Sequence, residues 1–214
     1  FYVEESYVIP WMYPYLEPAG MIMQLCGEKT QITDEKIAED FAYWNNLTNV
    51  FESGGVITFT DIDSGRKGTI IVDPGEFQND VTAQKSFSKC RSAIAGVYEF
   101  RQKWDAAEKA YRQAIWLYPQ SAEAHMRLAN MFMKLRKFDD AYELVKEYKR
   151  KDPLNDRVDG MLNAIRQQKD AASEMDALQE KVKSGENVSW QDYIRLARMY
   201  EASGNVPAAQ ALYD

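Results

Sequence analysis

Apolar residues recur at helical spacing through "TDEKIAEDFAYWNNLTNVFESGG", where Ile37, Phe41, Trp44, Leu47 and Phe51 fall on one face. Thr33 can cap this predicted helix, Asp34 and Glu35 suit its positive first turn, and Gly54 and Gly55 end it. The pattern then shortens to a two-residue period. "VITFTDI" and "TIIVD", separated by "DSGRKG", predict a hairpin, and "MIMQLC" after "EPAG" predicts a strand that joins it. "DPGEFQND" leads into a further helix near Val81, after which the helical period dominates to the end of the chain.

In that second part the helical pattern itself repeats. Pro119 and Pro153 lie thirty-four residues apart, and other positions keep step. Ile94 pairs with Leu128, Leu162 and Leu196; Ala95 with Ala129, Asn163 and Ala197; Tyr98 with Phe132, Arg166 and Tyr200. Further along, Trp104 meets Phe138, Ala107 meets Ala141, Met175 and Ala209, and Tyr111 meets Val145, Gln179 and Tyr213. Such a frame predicts antiparallel helix pairs in which the alanines allow close approach and the larger residues fill the gap. Proline stops each second helix, Asp105 and Asp139 suit a helix start, and Pro207 suits a first turn.

The stretches "IAGVYEFRQKWDAAEKAYRQAIWLYP", "LANMFMKLRKFDDAYELVKEYKRKDP" and "LARMYEASGNVPAAQALYD" resemble the tetratricopeptide family. The fold class expected is mainly α: a short tetratricopeptide solenoid with a small N-terminal α+β segment. Residues 1–78 form that segment and residues 79–214 the repeats, at about 79–119, 120–153, a degenerate 154–188 and a truncated 189–214. In the frame Trp104, Tyr111 and Trp116 read as core. The third slot is irregular, with Asn163, Arg166 and Gln179 at apolar positions and no Gly or Pro from Met161 to Ser184, which favours one long helix over a broken pair. Asn187 or Ser189 can cap the helix that follows.

The opening "FYVEESYVIPWMYPYLEPAGMIM" is dense in aromatics and proline without a simple period, and reads as a segment that wraps on the repeats or on another part of a larger protein. "YVEESYVIPWMYPYLEPAGMIMQL", followed by "AQKSFSKCRSAIAGVYEFRQ" leading into the repeats, resembles the soluble C-terminal part of bacterial multi-pass membrane proteins of the protein O-mannosyltransferase type. That resemblance implies an upstream membrane domain that carries any catalysis, a position outside the cytoplasm, and no catalytic residue in this chain.

Composition narrows the chemistry. The net charge of −7 argues against a nucleic-acid partner. No apolar run approaches the roughly 18 residues of a spanning helix. Cys26 and Cys90 have no metal or redox spacing and read as free thiols, with one disulfide as the alternative. His125 is the only histidine, with no nucleophile beside it, and reads as a packing or surface residue. Asp61 and Asp63 suggest a calcium loop, but Gly65 and Val72 occupy its later ligand slots. "GRKG" lacks the spacing of a phosphate loop. Glu4, Glu5 and Glu17 offer carboxylates at no fixed separation. Asn46 and Asn187 begin glycosylation triplets, the first of them inside a predicted helix. No cofactor and no metal is expected.

Binding is what this leaves. In tetratricopeptide domains the first helix of each pair lines the concave face, which by resemblance places Lys89, Ser92, Gly96 and Glu99 there, with Glu123, Met126, Asn130 and Met133, and Gln191, Ile194, Arg198 and Glu201. The partner expected is a protein or peptide, or the chain's own upstream membrane domain. The family's carboxylate clamp needs Lys and Asn where this chain has Ser92 and Gly96. The function expected is a non-enzymatic interaction module, with an accessory acceptor-positioning domain of a membrane glycosyltransferase as the alternative and a hydrolase using the acids near Glu4 as a third reading.

Overall fold

In a computed structural model the chain is described at residues 1–3, 10–60 and 64–213. These residues form two compact units, Phe1–Met131 with Glu147–Pro153, and Phe132–Lys146 with Leu154–Asp214.

In the first unit, β1 (Tyr2–Val3), β2 (Leu16–Ala19) and β3 (Ile22–Leu25) make an antiparallel sheet of order β1-β3-β2, and a 3-10 turn, Pro10–Tyr15, leads into β2. A second sheet is the hairpin of β4 (Gly55–Thr60) and β5 (Lys67–Val72), in register from Gly55 against Val72 to Thr60 against Lys67. "MIMQLC" therefore does not join the hairpin as expected; Met23 pairs with Val3 and Pro18 instead. The reason is proximity. The tight turn at Gly20, where φ is 71°, folds β3 straight back on β2.

Between the sheets runs α1 (Asp34–Ser53), capped by Thr33 Oγ1, which accepts from Lys36 N. Trp44, Leu47 and Phe51 bury its inner face. Phe51 stacks on Phe77 at 4.0 Å and meets the edge of Phe87 at 4.7 Å. That contact fixes α2 (Pro74–Asn79), a short helix where the sequence reads as a connection.

The helix pair α3 (Val81–Phe100) and α4 (Trp104–Leu117) follows. Ala106, Ala107, Ala110 and Ala114 are buried on α4, so the two backbones approach closely while Ile94, Tyr98 and Tyr111 fill the space beside them. Ser88 Oγ donates to the Ala114 carbonyl at 2.8 Å across that contact. The chain reverses through a left-handed residue, Gln102 (φ 56°), with Lys103 N donating to Tyr98 O at 2.9 Å and Gln102 N to Glu99 O at 3.0 Å. This pair of bonds is the Schellman stop of a helix.

The helices α5 (Ala122–Lys134) and α6 (Phe138–Lys151) contribute to both units. The second unit adds α7 (Asp156–Ser184), α8 (Trp190–Ala202) and α9 (Val206–Tyr213). The same helix stop recurs one period on at Arg136 (φ 58°), with Lys137 N to Phe132 O at 2.8 Å. It recurs again at Gly204 (φ 80°), with Asn205 N to Tyr200 O at 2.8 Å. At the intervening frame position Asp170 sits inside α7, which runs unbroken through the third slot. Asn163 and Arg166 are exposed there, at positions where the frame asks for a small and a bulky apolar residue, so the close-packed face that rewards folding back a second helix is interrupted. The next cap is Ser189, which forms a reciprocal capping box with Asp192; Asn187 is instead a left-handed turn residue. Cys26 and Cys90 are unbridged. None of the described helices is long and apolar enough to cross a membrane.

Candidate functional site: an aromatic groove between α1 and α4

The alanines of α4 turn one face toward α3, which leaves Asp105, Lys109, Arg112, Gln113 and Trp116 on the opposite side by helical periodicity. On α1, Asp34, Ile37, Phe41 and Asn45 recur at helical spacing. With Trp104 these residues line an open groove of about 990 Å³ within the first unit. Trp116 is 44% exposed in its wall, and Trp104 and Phe41 are half-buried. Trp116 is thus not the core residue that the frame suggests. Position 116 lies where α4 faces away from its antiparallel partner, and the repeat contributes no ring to cover it. Tyr111, on the inner face, is core as expected.

A buried polar network fixes the floor. Arg91 Nη1 donates to Asp40 Oδ2 at 2.6 Å, and Tyr98 Oη donates to the same oxygen at 2.7 Å. Arg91 Nε donates to Gln113 Oε1 at 2.8 Å, and Gln113 Nε2 in turn to Asn45 Oδ1 at 2.7 Å. The guanidinium lies 4.7 Å from the Phe41 ring centre and 5.1 Å from that of Trp44. Burial pulls the Arg91 pKa below its ordinary value, while Asp40 and Tyr98 oppose that shift. Burial, then the Asp40 carboxylate, push the Tyr98 phenol well above its ordinary range, so it stays a donor. The network ties α1, α3 and α4 together and presents Phe41, Asn45 and Gln113 to the groove in fixed positions.

At the mouth, Lys103 Nζ pairs with Asp34 at 2.9 Å, and Arg112 with Glu108 at 2.9 Å. Lys109 makes no ion pair among the described residues.

The residues expected on the concave face divide between the units. In the first, Lys89, Glu123 and Asn130 are exposed and Met126 is half-buried. Ser92 is buried, and the ends of Arg127, Tyr13 and Tyr111 crowd Gly96. The opening segment packs on this part of α3: Tyr13 stacks on Phe100 at 5.2 Å, and Arg101 Nη2 donates to Pro14 O at 2.6 Å. Glu99 accepts from Tyr111 Oη at 2.9 Å, and Glu123 pairs with Arg127 at 2.7 Å. Tyr111 and Arg127 also interact, so Glu99 and Glu123 are linked through them. In the second unit Met133 and Ile194 are half-buried, and Gln191, Arg198 and Glu201 exposed.

His125 is buried, with Nδ1 2.7 Å from Ser121 O and its ring 4.5 Å from that of Tyr148, a packing role. Glu17 pairs with Lys36 at 3.7 Å. Glu4 and Glu5, like Asp61 and Asp63, lie outside the described residues. Among the described residues no three His, Cys, Asp or Glu side chains gather as metal ligands. Asn46 and Asn187 are both exposed, the first on α1 and the second in a turn.

The groove escapes a reading by repeat frame because half of it belongs to α1, which lies outside the frame. The signal that could have found it is the pairing of two helices whose outer faces both carry large rings, Phe41 on one and Trp116 on the other.

Residues 101–165 match the family model described as tetratricopeptide repeat. The match begins at the turn before α4 and so includes Trp104, Lys109, Gln113 and Trp116. No curated protein matches the chain.

Proposed function

We propose that the protein is a non-enzymatic binding module that captures a protein or peptide segment in the groove between α1 and α4. The carrying observation is an open groove walled by Trp104, Trp116 and Phe41 on a floor held by the buried Asp40–Arg91 pair. Rings left accessible on a rigid support are what tight interfaces use as anchors, because little side-chain freedom is lost on binding. The tetratricopeptide match supports a protein-interaction role in general.

A random peptide library selected on the whole chain tests this. Selected peptides are expected to lose at least tenfold in affinity on Trp116→Ala and to keep it in a Met126→Ala, Asn130→Ala double variant. The reverse pattern would move the site to the first-helix face, and selection of no peptide would count against a peptide-binding role altogether.

The wider setting within this proposal is a membrane-tethered protein, supported by the resemblance of the opening stretch. Apolar spans encoded upstream of Phe1 would support it, and their absence from the reading frame would refute it. Calorimetry with a lipid-linked sugar donor checks the alternative role beside a glycosyltransferase.

A further inference from the structure

We infer that β4 is a self-association edge through which two copies of the chain pair, antiparallel about a two-fold axis, and join their hairpins into one four-stranded sheet.

The hairpin is incomplete by itself. Among the described residues β4 and β5 form a sheet of two strands, and no other element makes a backbone hydrogen bond to the outer side of β4. Both faces of the hairpin also present apolar side chains to water. Val56 and its register partner Ile71 are 55% and 80% exposed on one face. On the other, Ile70 opposite Ile57 is 53% exposed, and Phe59, lying across Gly68, is 46% exposed. A lone two-stranded ribbon is at best marginally stable in water, and further strands are the ordinary remedy. What such an edge accepts is another strand, because its outward N–H and C=O groups are spaced for one.

The residues of β4 say which strand. "GVITFT" holds no charge and no proline, and its pairing with β5 runs without a bulge. Charge, proline and bulges are the devices that keep an edge from pairing with its own kind. A two-fold axis sets a strand against itself, so any charge on it would meet a like charge close by, and β4 carries none. With the axis at Thr58, that residue faces Thr58 of the second copy, Ile57 faces Phe59 and Val56 faces Thr60. Opposed positions then differ by an even number, so every side chain keeps its face of the sheet. The pairs formed, threonine with threonine and β-branched with aromatic, are ones that stabilise antiparallel strands. β5 is the poorer edge, since it opens on Lys67. A contact of about five residues a side is well short of the roughly 20–30 of a standard interface, so the dimer is weak and reversible.

Sedimentation equilibrium of the whole chain at about 50 mM salt, from about 5 to about 300 µM, tests this. The wild type is expected to pass from monomer to dimer within that range. Thr58→Lys and Thr58→Glu should each weaken the dimer at least about tenfold, and an equimolar mixture of the two should restore it, because the unlike charges then face each other across the axis. Thr69→Lys, which places the same charge one strand away on β5, should leave the dimer in place. Thr58 and Thr69 are both exposed, and circular dichroism melts check that the variants fold. A chain that stays monomeric at the highest concentration overturns the inference. So does a dimer that survives both Thr58 variants, or one that they abolish and mixing does not restore.

Discussion

Arg91 and Asp40 meet at 2.6 Å with side chains 0% and 2% exposed, so the first unit holds a full ion pair away from water. The pair is satisfied only in part: Asp40 Oδ1 and Arg91 Nη2 find no hydrogen-bond partner among the described residues. A buried pair of this kind adds little over apolar packing, but removing one member leaves the other as an uncompensated charge. Arg91→Ala should therefore cost about 3–5 kcal/mol in equilibrium urea unfolding. The double variant Asp40→Leu, Arg91→Met should cost clearly less than the sum of the single changes. Additive costs would show that the two groups are not coupled.

Rings in the same helix should separate into two kinds. Tyr111 is buried, and Tyr111→Ala is expected to cost about 3–5 kcal/mol. Trp116→Ala, at 44% exposure, should cost no more than about 1 kcal/mol. Thermal melts of the two variants check the contrast. Similar losses would place Trp116 in the core after all.

Stability should fall on mild acidification through His125. Burial, with a smaller contribution from Lys151, holds its folded pKa below the ordinary value, against the opposing pull of the Ser121 hydrogen bond and Glu147. Above about pH 6.5 the imidazole is neutral whether folded or unfolded, and its full contribution is present. As pH drops below that value the unfolded chain takes up the proton first, and stability is lost until the lower folded pKa is passed. The melting temperature of the wild type should drop between pH 8 and pH 5.5 by more than that of His125→Leu. Parallel curves would show that this ring is not shifted.

Gln102 holds a left-handed conformation that side chains disfavour. Gln102→Gly is expected to raise stability by about 0.5–1 kcal/mol, the strain relieved less the added freedom of the unfolded chain. At the corresponding position the fourth, truncated repeat already has Gly204. Urea unfolding of the variant reads the sign directly.

What the chain discloses by itself is the part governed by local rules. Thr33 and Ser189 cap where their hydroxyls suggest, α6 ends before Pro153, and the thirty-four-residue frame places Ile94, Leu128, Leu162 and Leu196 all in buried positions. The unbroken α7 follows from polar residues at apolar slots. What stays hidden depends on contacts distant in sequence. Asp40 and Arg91 look like solvated charges until α1 lies on α3, and Ser92 looks accessible until the opening segment packs nearby. Trp116 satisfies a repeat pattern yet faces outward, because a period says that a position recurs and not which neighbour is there to cover it. For the same reason the groove was not legible, since one wall comes from outside the periodic part.

The guanidinium of Arg101 grips the carbonyl oxygens of Tyr13, Pro14 and Thr30. Together with Arg91 it makes the first helical pair dependent on chain that precedes it by many residues. Anyone trimming this protein to its periodic part, by cutting near residue 79, would strand two cations without their acceptors. The shortest fragment that behaves well should start upstream of Pro10, and limited proteolysis should find the join between α2 and α3 no easier to separate than the interior of a single domain.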